Sequence, residues 1–149
     1  GKPYRAHAFW DYWVPRKTAI VSVTTDVGEY YLVIDLDRGT QIKVAAEPLL
    51  APDGRRFLVA DLCDKQCANL IQVCRFEGER MVRERSFKPP EKWYEADVAW
   101  RDASTLAIEY SVAAPRRRLA EPGELVLVRA RPRLLKLSDS EWTIDEAGR

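Results

Sequence analysis

Short apolar runs rich in branched and aromatic residues recur along this 149-residue chain and are broken by brief polar segments. Ten stand out: "TAIVSVTT" (18–25), "YYLVIDL" (30–36), "TQIKVAA" (40–46), "RRFLVADLC" (55–63), "NLIQVCRF" (69–76), "RMVRERSF" (80–87), "ADVAW" (96–100), "STLAIEYSV" (104–112), "GELVLVRA" (123–130) and "EWTID" (141–145). Runs of this length and make-up, bounded by Gly, Pro, Asp or Ser, predict β-strands. Turn signals every ~8–12 residues predict an antiparallel all-β domain. "DRGT", "PDGR" and "EGER" place a glycine where a tight turn needs a left-handed backbone. No segment keeps a helical period. At most "EPLL" (47–50) and "DSEW" (139–142) read as single helical turns, while "KPPEKW" (88–93) and "APRRRLAEPGE" (114–124) are loops by their prolines.

The strands also repeat as a group. "LLAPDGRRFLVADL" (49–62) and "DVAWRDASTLAIEYS" (97–111) share the layout strand, polar turn, strand, and each is followed by a long strand and a more polar one. "APDGRRFLVAD" resembles the turn of WD40-like β-propeller repeats, and "YLVIDLDRGT" resembles the outer hairpin that comes after it. That resemblance implies four-stranded, blade-like meanders and carries no catalytic residues with it. About two and a half units are present, fewer than the four to eight blades of a closed ring. The expected fold is therefore an antiparallel meander of about ten strands with propeller-blade-like repeats in a single compact domain. A β-sandwich or open barrel is the alternative, and assembly of several copies into a ring is a further one.

Composition narrows the class. Hydrophobic residues make up 46%, enough for a true core, and 24 basic against 23 acidic side chains leave a net charge of +1. Such a balance gives no global attraction to nucleic acid or acidic membrane. Arginine outnumbers lysine 17 to 7 and Asn69 is the only asparagine, a skew typical of GC-rich bacterial genomes. No run approaches the ~20 apolar residues of a membrane helix, so membrane insertion is not expected.

Three cysteines bear on compartment. Cys63 and Cys67 bracket "CDKQC", a polar loop short enough to bring two Cα atoms within disulfide range, whereas Cys74 lies in an apolar run and reads as a buried thiol. Cys63–Cys74 is the alternative pairing. A loop disulfide implies an oxidising compartment, periplasmic or secreted. A zinc site from Cys63, Cys67, Cys74 and His7 lacks the usual CxxC pairs, so no metal or cofactor is expected.

Catalytic constellations are sparse. One histidine and no GxSxG, HExxH, P-loop or GxGxxG remove the common enzyme signatures. Pairing of His7 with Ser22 or Ser111 has no support in the spacing, and the carboxylate pairs Asp35/Asp37 and Asp61/Asp64 read first as turn residues. "DLDRGT" fails as a calcium loop because Gly39, Thr40 and Ala46 occupy positions where a ligand, a glycine and a glutamate are needed. No catalytic residue is assigned.

Two binding candidates remain. Arg129, Arg131 and Arg133 recur at period two, and in an extended segment they would share one face, with Pro132 marking an edge. Such a row suits an anionic partner other than nucleic acid; the plainer reading pairs it with Glu121 and Glu124. The triplet Arg116–Arg118 adds charge in a loop. The second candidate is "HAFWDYW" (7–13), with Trp93 and Tyr94 as another aromatic knot. A regular strand would set Phe9, Asp11 and Trp13 on one face and Trp10, Tyr12 and Val14 on the other, leaving both faces bulky. Packing, a binding surface or a loose terminus all fit. The sequence thus points to a non-catalytic, exported bacterial interaction module with an unknown protein or glycan partner, contacted through Trp10, Tyr12, Trp13, Trp93 and Tyr94. A glycan-binding module and a self-assembling structural subunit, a homo-oligomer, are the alternatives.

Overall fold

The computed structural model describes residues 3–63, 66–78, 80–114 and 125–146. Among these residues the chain forms β-strands and one 3-10 turn, arranged in three antiparallel sheets without a closed barrel. No helix in them is long and apolar enough to cross a membrane. The chain divides into two compact units, Gly1–Asp61 with Ile71–Ser86, and Leu62–Leu70 with Phe87–Arg149.

The first unit contains two four-stranded meanders. Strands β1 (Arg5–Trp13), β2 (Thr18–Thr25), β3 (Gly28–Asp35) and β4 (Gln41–Val44) lie in sequence order, with the 3-10 turn Val14–Arg16 between β1 and β2. β5 (Pro48–Leu50), β6 (Arg56–Asp61), β7 (Leu70–Glu77) and β8 (Arg80–Phe87) repeat that order. Alternation sends Ile20, Val33 and Val44 from the first sheet toward Phe57, Val59 and Cys74 of the second, and this shared layer is the core. Trp13, at the end of β1, sits within it at 5.4 Å from Phe57 and 6.2 Å from Phe76, ring centre to ring centre. Gly39 and Gly54 turn their hairpins at φ +71°, a conformation that a side chain would strain.

The second unit is one sheet. β10 (Thr105–Ala113) pairs on one side with β9 (Tyr94–Asp102) and on the other with β11 (Leu127–Arg129) and then β12 (Arg133–Ser138), which in turn pairs with β13 (Glu141–Glu146). Leu106, Ile108, Tyr110, Leu134, Leu135 and Trp142 are buried here, and Trp93 stacks on Tyr110 at 4.1 Å.

The strand pattern read from sequence holds with four differences. Arg133–Ser138 is a strand outside the ten runs, formed because it pairs with Thr105–Ile108 on one side and β13 on the other. "EPLL" is not helical: Pro48–Leu50 is a strand because it finds Phe57–Val59 to pair with, a partner that short-range pattern does not reveal. "DSEW" is not helical either. Asp139 and Ser140 adopt φ +50° and +66° and form the two-residue turn of the β12–β13 hairpin. The stretch "HAFWDYW" is a strand whose register is interrupted by a bulge at Trp10. The run "GELVLVRA" contributes β11, and residues 115–120 and 121–124 lie outside the described residues.

Cys63 and Cys67 form a disulfide with Cα atoms 5.6 Å apart, closing the short loop as its spacing suggested. Cys74 is free and fully buried, and burial, with Glu84 adding and Arg83 opposing, pushes its thiol up to about 11.

Trp13→Ala should cost about 3–5 kcal/mol in denaturant unfolding, the usual range for emptying a buried Trp site. Cys74 should resist a thiol reagent at pH 8 in the native chain and react only at the rate of unfolding. Its raised value also means that stability is lost as pH climbs from the ordinary 9.0 toward about 11. In acid the sign reverses. The Ser104 N–H and the Thr105 hydroxyl hold Asp102 below the usual carboxylate value; at Asp35 burial opposes ionisation, but the Arg38 and Asp37 N–H groups and the Arg38 guanidinium outweigh it. Stability contributed by these two groups is present above pH 3.8 and should fade below it in acid titrations followed by tryptophan fluorescence.

Candidate functional site

β1 is an edge strand, and its register against β2 changes partway along. Phe9 faces Val21, but Asp11 faces Ile20, so Trp10 is one residue too many. That bulge inverts the alternation. Before it, His7 and Phe9 share a face with Val23 and Val21; after it, Tyr12 shares the same face through Ala19. Continuing across the sheet, Phe9, Val21, Leu32 and Lys43 form one row, and Tyr12, Ala19, Ile34 and Gln41 the next. Phe9 and Tyr12, three positions apart, thus lie on one outward face. Trp13, opposite Thr18, lies on the other, which covers the core.

The outward face is buried at Val23, 0% exposed, and is apolar and accessible toward the Phe9 and Tyr12 end. Phe9 is 71% exposed and Tyr12 40%, while Val21, Leu32 and Ile34 between them are half-buried. Lys43 borders the patch with its ammonium 4.1 Å from the centre of the Tyr30 ring. Trp10 is 46% exposed but belongs to the opposite side, where its indole N–H donates to Glu47 at 3.0 Å and its ring meets Tyr31 edge-on at 5.5 Å. Burial first, then the charges of Glu29 and Glu47, raise the Tyr31 phenol above its ordinary value and keep it protonated.

The structure separates most of the aromatic residues singled out from sequence. Trp13 is 4% exposed and Trp93 only 1%, so neither side chain is presented to solvent. Trp93 is interior because Tyr110 and Phe87 flank it; its indole N–H has no hydrogen-bond partner among the described residues. Tyr94 is half-buried, with the Lys92 ammonium 5.3 Å from its ring centre. Tyr12 is brought together with Phe9, Val21, Leu32 and Ile34 instead. Runs such as "AIVSV" and "YYLVI", apolar at both parities, were the available signal that this sheet has two apolar faces.

The arginine row is likewise divided. Arg129 faces Ser111 and Arg133 faces Ile108 on β10, positions of opposite parity, because residues 130–132 bulge between β11 and β12. Arg129 is paired with Glu109 at 2.9 Å, whereas Arg133 lies 6.0 Å from the centre of the Tyr110 ring on the other face. Arg131 is in the bulge itself and exposed. Three guanidiniums on one face therefore do not form. Glu121, Glu124 and Arg116–Arg118 lie outside the described residues.

Groups considered for catalysis take structural positions. Ser22 faces the core side and donates to the Ala8 carbonyl at 3.4 Å, while His7 points to the outward side. Asp35 accepts the N–H groups of Asp37 and Arg38 at the hairpin corner, and Asp64 lies outside the described residues. Among the described residues no three His, Cys, Asp or Glu side chains are grouped to hold a metal.

Phe9→Ser with Tyr12→Ser should change stability by only about 0.5 kcal/mol per site, as exposed positions do. Chemical denaturation of this double variant beside Trp13→Ala separates the surface from the core directly. Compared with models of known protein families, with curated proteins and with solved structures, the chain matches none of them.

Proposed function

We propose that this chain is a non-catalytic, exported bacterial interaction module whose working surface is the outward face of the β1–β4 sheet. The observation that carries the reading is the Trp10 bulge, which places Phe9 and Tyr12 on one apolar face with Val21, Leu32 and Ile34. Accessible apolar patches of this kind favour a partner that removes them from water. The disulfide supports an oxidising compartment, periplasmic or extracellular.

The occupant that best fits is another four-stranded sheet, supplied by a second copy of the chain. Within the first unit, the β1–β4 sheet already packs its other face on a sheet of the same strand order. The turns in "APDGRRFLVAD" and "YLVIDLDRGT", which resemble those of WD40-like propeller repeats, support the reading, since stacking of such units is how they bury both faces. A glycan platform draws less support. It needs neighbouring coplanar rings, whereas Trp10 and Tyr12 occupy opposite sides and Trp13 and Trp93 are interior.

Sedimentation velocity over a concentration series tests the reading. The expected result is reversible self-association that is lost in the folded Phe9→Ser/Tyr12→Ser variant. A chain that stays monomeric at about millimolar concentration, beyond the weakest affinities of functional use, overturns it. A saturable fluorescence response to neutral oligosaccharides that requires Tyr12 would favour the glycan reading instead.

A further inference from the structure

We propose that the first unit carries a binding site for a tetrahedral oxyanion, a phosphate or sulfate group, in the cleft formed by Arg16, Arg55, Arg56, Arg75 and Phe76. These five residues line one cavity of about 240 Å³. They come from three separate places in the chain: the 3-10 turn after β1, the turn and first residue leading into β6, and the end of β7. None of the functional candidates read from the sequence includes them.

The charges of the cleft do not balance. Glu84, its side chain 8% exposed, accepts from Arg56 at 2.7 and 3.1 Å and from Arg75 at 3.5 Å; Glu77 accepts from Arg75 at 2.7 Å. Two carboxylates thus serve two of the four guanidiniums. Arg16 and Arg55 have no carboxylate within ion-pair distance among the described residues. Holding four like charges around one small cavity is unfavourable unless anions answer them, and among the described residues carboxylates answer only two.

The cleft is also fixed before any ligand arrives. The Arg16 Nε–H donates to the Gly54 carbonyl at 2.7 Å, and its guanidinium lies 4.7 Å from the centre of the Phe76 ring. This holds the side chain by its Nε edge and one flat side. Arg56 is clamped through two of its nitrogens by Glu84. The Arg55 backbone is tied at both ends, its N–H to Asp53 at 3.0 Å and its carbonyl to the Phe76 N–H at 3.0 Å. Arg16 and Arg56, so restrained, lose little freedom when an anion binds, while Arg55 is fixed only in its backbone; the forked donors suit phosphate or sulfate oxygens. The single apolar lining residue, Phe76, leaves little attraction for a bulky apolar ligand. A second cavity, which also includes Arg16 and Phe76, is lined by Arg80 and by Lys17 and Arg38, which pair with Asp37 and Asp35.

Isothermal titration of the intact, disulfide-bonded chain tests the site, at constant ionic strength in chloride. The probes are inorganic phosphate, inorganic sulfate, a sulfated disaccharide and its unsulfated parent. Saturable one-to-one binding of phosphate or sulfate is expected, weakened about tenfold or more by Arg55→Gln and by Arg16→Gln, and unchanged by Arg101→Gln on the second unit. Arg55 is exposed, so Arg55→Gln decides the matter even where Arg16→Gln loosens the fold. Tighter binding of the sulfated disaccharide than of sulfate, with no binding of the parent, would assign the group to a larger ester; equal binding would assign it to the free anion. No saturable binding, or equal weakening by Arg55→Gln and Arg101→Gln, would overturn the site.

Discussion

The meeting of Trp13, Phe57 and Phe76 is the contact on which the first unit rests. Three rings from three strands lie within 6.2 Å of one another, centre to centre, and they tie the end of β1 to β6 and β7. Most of the area that stabilises a packed sheet pair comes from such large side chains, because the hydrophobic term scales with apolar surface removed from water. The position of Trp13 also directs the next three residues. With the ring held in the core, Val14–Arg16 must turn over its rim, and this brings Pro15 against Gly54 and Arg16 over Phe76. The aromatic core and the cationic cleft are two sides of one arrangement.

The bulge at Trp10 resolves a conflict that a regular strand could not. Three ring-bearing residues after Phe9 have to be distributed between a core that accepts Trp13 and an edge open to water. One extra residue changes the parity of the strand, so Trp13 enters the core while Trp10 stays at its rim on Glu47 and Tyr31. Bulges also disturb the row of free N–H and C=O groups along an edge strand and so discourage indiscriminate pairing. The same device that protects the edge leaves Phe9 and Tyr12 together on the outward face. The association we propose through that face would therefore bury side chains rather than add a strand.

Electrostatics in this nearly neutral chain is local. Glu84, almost buried on β8, draws Arg56 and Arg75 from β6 and β7 into a cross-strand cluster. A buried carboxylate is tolerated only with such donors, and its removal would leave two guanidiniums facing each other. The exposed pairs Lys17–Asp37 and Arg129–Glu109 contribute little by comparison. A net charge of +1 gave no hint of Arg16 and Arg55, far apart in the chain and without a paired carboxylate among the described residues.

Features legible in the primary chain were local in cause. Strand-forming runs, the glycine turns at Gly39 and Gly54, the close spacing of Cys63 and Cys67 and the burial of Cys74 each depend on neighbours a few residues away, and each is found as read. Whatever depends on parity or on distant partners was settled by packing. One inserted residue at Trp10, and the bulge between Arg129 and Arg133, send side chains to the opposite face, and periodicity alone cannot count residues on a strand whose partner is unknown. Short β5 exists only because β6 is there to pair with it, and the arginine cleft exists only because three distant segments converge. Composition and pattern specify which elements form; the packing of sheets determines which side chains meet.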